Sequence, residues 1–252
     1  MCVLRAFFGL LLFTTAGHAQ DLKIAAAADL STVMQKLAPD FERETGIHVS
    51  VSLGSSGNFF AQIGNGAPFD VFLSADRSYP EKLQEAGLTE PGTLITYARG
   101  KLVLWTAQAS GNERNTDVQF LATDSIRRIA IANPEHAPYG RAAVAVLQHY
   151  GLYEKVKNKL VLGENISQTA QFAQSGNADA AFIAYSLVLA DAMKQKGDFR
   201  VLPQDSYPPL DQAAVMVRSS RNKQNARKFL SFLSSSGARA ILRENGFEVA
   251  EK

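Results

Sequence analysis

Two patterns of apolar residues alternate along most of this chain. Short apolar runs, such as residues 70–74 and 128–132, predict buried strands, whereas apolar positions three or four residues apart predict helices. The clearest helix covers residues 31–45 and is expected to end at Gly46, a residue type that commonly follows a helix. Repeated strand–helix units indicate an α/β protein with mostly parallel sheets flanked by helices.

The first residues have the pattern of an export signal. Arg5 is the only charge before the apolar run 6–13, and a small-x-small motif ends at Ala19. We therefore expect residues 1–19 to be a signal peptide cleaved after Ala19, and the mature protein to be periplasmic. Cleavage would remove Cys2, the only cysteine, and lower the formal charge from +2 by one. Near-neutral charge argues against nucleic acid or a membrane surface as a main partner.

The chain is expected to form two lobes without a flexible Gly/Ser linker between them. Strand-like crossings at 95–101 and 206–212 would make residues 20–98 and 207–252 one lobe and residues 99–206 the other. In parallel sheets, ligands bind beyond the carboxyl ends of the strands. A cleft between the lobes would bring together the turns that follow residues 28, 53, 132, 162 and 183.

Two of these turns are typical of anion sites. Only small residues separate the strand ending near Ala28 from the helix that follows, so the first N–H groups of that helix are uncovered. The second turn, residues 54–57, adds the hydroxyls of Ser55 and Ser56 between two glycines. Close strand–helix packing is the alternative for the first turn, and an ordinary Ser/Gly turn with a helix cap is the alternative for the second.

No motif predicts an enzyme. The three histidines of the mature chain lie outside any serine–acid motif, and residues 54–57 lack the Gly-x-Ser-x-Gly spacing. There is no His-Glu-x-x-His sequence and no phosphate-binding loop. We predict no catalytic residue, no cofactor and no site for a free metal cation.

Five ordered segments carry a family resemblance: residues 26–30, residues 54–57 followed by 61–63, residues 66–76, residues 133–140, and Gly246-Phe247. With them, the whole mature chain resembles the periplasmic molybdate-binding proteins, receptors of molybdate ABC importers among the type II solute-binding proteins. The resemblance implies a two-lobed fold with the ligand cleft between the lobes. It also implies a monomer that captures molybdate, and tungstate as well, for a permease in the inner membrane.

The alternatives are a receptor for phosphate, arsenate or sulfate and, from another class, a periplasmic hydrolase, transferase or sensor on the same scaffold.

The resemblance also implies a set of ligand-binding residues. Asp29 and the Ser56 hydroxyl would come from the first lobe. The second lobe would supply the backbone N–H groups of Tyr139 and Ile166 and the phenol of Tyr185. All five lie at or next to the strand-end turns selected above.

Asp29 departs from the family pattern, in which Ser or Asn often stands at this position. An ionised carboxylate cannot donate a hydrogen bond and repels a dianion. We expect its carboxylate to cap the first helix, on the N–H groups near Ser31 and Thr32, because Asp is a common cap. The alternative is that Asp29 accepts a proton from a protonated oxyanion, which would select phosphate or arsenate over molybdate.

Overall fold

The fold consists of two five-stranded sheets with helices packed on them. The computed structural model describes residues 21–107, 117–189, 193 and 195–249. The predicted signal peptide lies outside these ranges. Within them, no helix combines the length and apolar character needed to cross a membrane.

The first sheet has the strand order β2-β1-β3-β10-β4. Neighbours β1, β2 and β3 are parallel, whereas β10 is antiparallel to both β3 and β4. Its strands are β1 (Leu22–Ala27), β2 (Val49–Gly54), β3 (Val71–Ser74), β4 (Ile95–Gly100) and β10 (Leu210–Met216).

The second sheet repeats this plan with the order β7-β6-β8-β5-β9. Strands β6, β7 and β8 are parallel, and β5 is antiparallel to both β8 and β9. Its strands are β5 (Leu102–Ala107), β6 (Ile129–Ala132), β7 (Leu160–Gly163), β8 (Ala180–Ala184) and β9 (Gly197–Val201).

Both sheets therefore contain parallel and antiparallel pairs, whereas the alternation of strands and helices predicts mostly parallel pairing. The cause is the route of the chain. It passes from the first sheet to the second at Lys101 and returns between Val201 and Leu210. A strand arriving from the other lobe enters its sheet at the end where the parallel strands finish. Thus Leu102 at the start of β5 pairs with Ala184 at the end of β8, and the two strands run in opposite directions.

Most helices follow a strand directly, as the pattern predicts. Short 3₁₀ turns cover 28–30, 118–122, 157–159 and 204–206. The α-helices are α1 (Ser31–Thr45), α2 (Ser56–Gly64), α3 (Ser78–Glu85), α4 (Pro138–His149), α5 (Tyr153–Val156), α6 (Ile166–Gln174), α7 (Tyr185–Val188), α8 (Lys223–Leu233) and α9 (Ser236–Glu244).

Helices bury both faces of the first sheet, and the residues of β1 alternate between them. Ile24 and Ala26 belong to a core that includes Phe41 of α1 and Phe229 of α8, whose rings meet edge to face at 5.1 Å. Ala25 belongs to the core on the opposite face, with residues of α2 and α3. Burial on both faces explains why β1 reads as a continuous apolar run.

Helix α4 packs so closely on β6 that one position has no room for a side chain. A Cβ at Gly140 would lie 2.1 Å from the carbonyl oxygen of Ala132. Gly237, near the start of α9, has nothing within 4 Å of the same position. These two glycines form a matched pair for testing the packing.

We predict that Gly140→Ala destabilises the protein by about 1–3 kcal/mol or more, because backbone must move to admit the methyl group. Gly237→Ala should be neutral or stabilising by up to about 1 kcal/mol, because Ala favours helix without meeting a neighbour. Urea unfolding of both variants checks the prediction. Equal midpoints for the two would contradict the packing described for α4.

Candidate functional site

A narrow cleft lies between the two sheets, at the carboxyl ends of their parallel strands. The first lobe lines it through the turns after β1, β2 and β3, and the second lobe through the first residues of α4 and α6. The lining residues are Ala27, Ala28, Asp29, Gly54, Ser55, Ser56, Ala75, Ala137, Pro138, Tyr139 and Ile166. None of these described residues is a lysine, an arginine or a histidine.

Two adjacent serines at the start of α2 have different tasks. Ser55 caps the helix, because its Oγ accepts from the N–H of Asn58 at 3.3 Å. The same Oγ also forms a hydrogen bond with Nδ1 of His136, 2.8 Å away in the other lobe. The Oγ of Ser56 accepts from the N–H of Ala75 at 3.0 Å, so the proton of Ser56 remains available to the cleft. The helix-cap interpretation of this turn therefore holds for Ser55, and Ser56 keeps a free donor.

Tyr139 and Ile166 bring helix N-termini to the opposite wall. Ile166 is the first residue of α6, and Asn165 caps the next two N–H groups, at 3.0 and 3.1 Å. Tyr139 is the second residue of α4 and follows Pro138. Neither the Tyr139 nor the Ile166 N–H has an acceptor among the described residues. Both groups carry the positive ends of helix dipoles, which favour an anion.

Helix α4 begins earlier than the pattern predicts. The sequence predicts a loop over residues 133–140, but the helix starts at Pro138. Proline fits the first helical position, because its ring sets φ and the N–H that it lacks would have no partner inside the helix. The earlier start places the Tyr139 N–H within the first turn of the helix.

Asp29 is completely buried at the base of this cleft. Its Oδ2 accepts from Nε2 of Gln212 at 2.8 Å, and its Oδ1 has no hydrogen-bond partner among the described residues. The predicted capping role is wrong, because no side chain caps the 3₁₀ turn at 28–30 or the start of α1. Gln212, which orients the carboxyl group from β10, was not predicted. Its polarity beside the apolar run 213–217 was the available signal.

Comparisons with known proteins agree with this geometry. Residues 22–248 match the family described as bacterial extracellular solute-binding protein. This chain belongs to that family. The molybdate-binding protein ModA of Rhodobacter capsulatus is 40% identical over 244 residues, which cover 97% of this chain and 93% of the relative. The resemblance to molybdate-binding proteins predicted from the sequence is thereby confirmed.

Solved structures of relatives show the same solute-binding fold. The periplasmic molybdate-binding protein of Azotobacter vinelandii matches with a TM-score of 0.85 and 39% identity, covering 92% of this chain and all of the other. A substrate-binding domain of a putative molybdenum ABC transporter from Clostridium difficile matches with a TM-score of 0.68 and 29% identity. That match covers 92% of this chain and 99% of the Clostridium chain. The two-lobed α/β fold predicted from the sequence is confirmed.

Tyr185 lies apart from the residues that line the cleft of this solute-binding protein. Its ring packs against Phe199 at 5.8 Å between centroids and lies close to Gly246. Its neighbour Ser186 instead contacts Asp29, because the Ser186 Oγ donates to the backbone carbonyl of Asp29 at 2.7 Å. The structure therefore brings together Asp29, Ser56, Tyr139 and Ile166, but not the phenol of Tyr185.

Hydrogen bonds between the lobes surround the site. The Oγ of Ser167 donates to the carbonyl of Ala28 at 2.9 Å, and the N–H of Gly57 donates to the carbonyl of His136 at 2.8 Å. Arg141 of the second lobe also forms an ion pair with Asp76 of the first. Most of these bonds use single serines or backbone groups, which have no distinctive sequence pattern. These contacts hold the two walls of the cleft together.

The electrostatics of the site centre on the buried carboxyl group. Burial raises the pKa of Asp29 from 3.8 to about 7, and the donors beside its carboxyl group, which are the phenol of Tyr139, the amide of Gln212 and the backbone N–H groups of Asp29 and Leu30, only partly offset this. Burial and the Asp29 charge also raise the pKa values of Tyr97 and Tyr139 well above 10.0. Asp29 is thus half-protonated near neutral pH, and both phenols stay neutral.

A raised carboxyl pKa makes stability depend on pH. The native state binds this proton more tightly than the unfolded chain, so the stability it provides is complete below about pH 4 and is lost as pH rises towards 7. Asn cannot titrate. We therefore predict that the unfolding free energy of Asp29→Asn, minus that of the wild type, increases by roughly 3 kcal/mol from pH 5 to pH 8. Urea unfolding at the two pH values measures it, and parallel pH profiles would contradict it.

Proposed function

We propose that this chain captures molybdate between its lobes and delivers it to an ABC importer. The observation that carries the proposal is the convergence of neutral donors from both walls: the hydroxyl of Ser56 and the N–H groups of Tyr139 and Ile166. Neutral donors can replace the hydration of a fully ionised tetrahedral dianion without placing a cation beside it. The names of the Rhodobacter and Azotobacter relatives support molybdate as the ligand.

The remaining parts of the proposal concern cargo, partner and location. Tungstate has the same charge and shape as molybdate, so the same donors would hold it. The Clostridium relative is described as part of an ABC transporter, which supports a membrane permease as the partner. We propose a periplasmic monomer that releases its ligand chemically unchanged and needs no cofactor.

Calorimetry with molybdate, tungstate, sulfate and phosphate tests the ligand class. We expect heat of binding from molybdate and tungstate, and much weaker or no binding of sulfate and phosphate. The phosphate arm is informative because the buried Asp29 carboxyl could accept a proton from a protonated anion. Tight phosphate binding with no heat from molybdate would replace molybdate by phosphate or arsenate.

Substitution of a cleft residue should weaken molybdate binding, whereas substitution of a residue away from the cleft should not. Ser56→Ala removes a charge-assisted hydrogen bond and should cost about 1.5–3 kcal/mol of binding free energy. Ser52→Ala, at an exposed position of β2, is the control and should bind like the wild type. Tyr185→Phe should also bind like the wild type, because its phenol is not among the cleft residues. A loss of affinity in Tyr185→Phe as large as in Ser56→Ala would return that phenol to the site.

Closure of the lobes should be sensitive to Gly57. A Cβ there would lie 2.6 Å from the carbonyl oxygen of His136, which belongs to the other lobe. We predict that Gly57→Ala lowers molybdate affinity at least tenfold, because the walls cannot approach as closely. Gly64→Ala in the same helix has nothing within 4 Å and should bind normally. Small-angle scattering of both variants with molybdate would show whether only Gly57→Ala stays expanded, and identical compaction would contradict the prediction.

A further inference from the structure

The buried carboxyl group of Asp29 has no positive charge to balance it. Tyr139 from α4, Tyr97 from β4 and Gln212 from β10 face it, and the backbone N–H groups of Asp29 and Leu30 lie beside it. The hydroxyl of Ser186 from α7 bonds the backbone carbonyl of the same aspartate. Phenols, an amide and a hydroxyl are all neutral. Among the described residues, no lysine, arginine or histidine faces this carboxyl group.

The two oxygens of Asp29 are not equivalent. Oδ2 is held by the amide of Gln212, which donates to it at 2.8 Å. Oδ1 is buried without a partner, in a residue that lines the cleft beside Ser56. A proton on Oδ1 would turn this atom into an O–H donor, which is the one kind of group that an oxyanion needs and an ionised Asp cannot offer.

A bound dianion would strengthen this preference for the neutral acid. Ionised Asp29 would place a third negative charge in a site whose other groups are uncharged, and Coulomb repulsion is only weakly screened where water is excluded. Protonation removes the repulsion and supplies a hydrogen bond. The same carboxyl group thus changes from an obstacle into a ligand.

We propose that Asp29 is protonated whenever the cleft holds its oxyanion, so that each captured anion brings one proton into the site. The inference rests on the proposed function, because it assigns a proton to the same molybdate site. The balance is simple: ionised receptor, one proton and one dianion combine to a complex with the O–H of Asp29 on Oδ1. No covalent bond to the ligand forms or breaks.

The pKa of the Asp29 carboxyl group in the ligand-free protein determines how proton uptake and molybdate affinity depend on pH. Burial already raises its pKa to about 7, and the charge of a bound anion raises it further. Below about pH 6, Asp29 is largely protonated beforehand, and binding takes up little from solution. Above about pH 8 the uptake approaches one proton, and affinity falls about tenfold for each further pH unit.

Calorimetric titration with sodium molybdate at pH 8, in buffers of different ionisation enthalpy such as Tris and HEPES, measures the protons taken up. We expect about one for the wild-type protein and none for Asp29→Asn, whose affinity should also stay flat from pH 6 to pH 9. Asp205→Asn removes an exposed carboxylate and is the matched control, with the wild-type uptake retained. Asp29→Ser provides a second non-titrating variant if the Asn variant does not fold.

The outcomes distinguish failure of this inference from failure of the proposed function. Molybdate binding by the wild type without proton uptake at pH 8 would overturn the inference and leave the proposed function intact. Uptake that persists in Asp29→Asn would also overturn it, because the proton would then reside elsewhere. Absence of molybdate binding at every pH would overturn the proposed function and the inference together.

Discussion

Backbone N–H groups that α-helices leave unpaired at their first turn are the constraint on which this structure depends. In each lobe, parallel strands end at the cleft and the next helix begins there, so uncovered donors collect at one place. The turns must be short and their residues small for this to work. Gly140 shows how little space remains, since a Cβ would overlap the end of β6.

The division of the chain into two lobes places these donors on opposite walls of one cleft. Each wall supplies only some of the donors that would replace the hydration shell of an anion. Hydrogen bonds such as that from Ser167 to the carbonyl of Ala28 join the walls directly. In the proposed complex, an anion between the walls would add hydrogen bonds to both sides and so stabilise the closed arrangement over an open one. Asp29 fits this scheme only as a neutral acid, since every described group around it is uncharged.

The sequence predicts much of the fold, because hydrophobic periodicity and turn residues are local signals. The predicted bounds of α1 agree with the structure, and four of the five predicted binding residues lie together around the cleft. The mixed sheets were not predictable in this way, since the direction of β5 and β10 depends on where the chain crosses between lobes. The partner of Asp29 was missed for a similar reason, because Gln212 is distant in sequence and adjacent only in the folded sheet.

The donors on both walls imply that one tetrahedral oxyanion binds between them. Anomalous diffraction at the molybdenum edge, from crystals grown with molybdate, locates the metal without reference to any assumed site. We expect one strong peak between Ser56, Tyr139 and Ile166, with the oxygens around it in reach of the Ser56 hydroxyl and both N–H groups. A peak at another place on the protein, or none within the cleft at saturating molybdate, would contradict it.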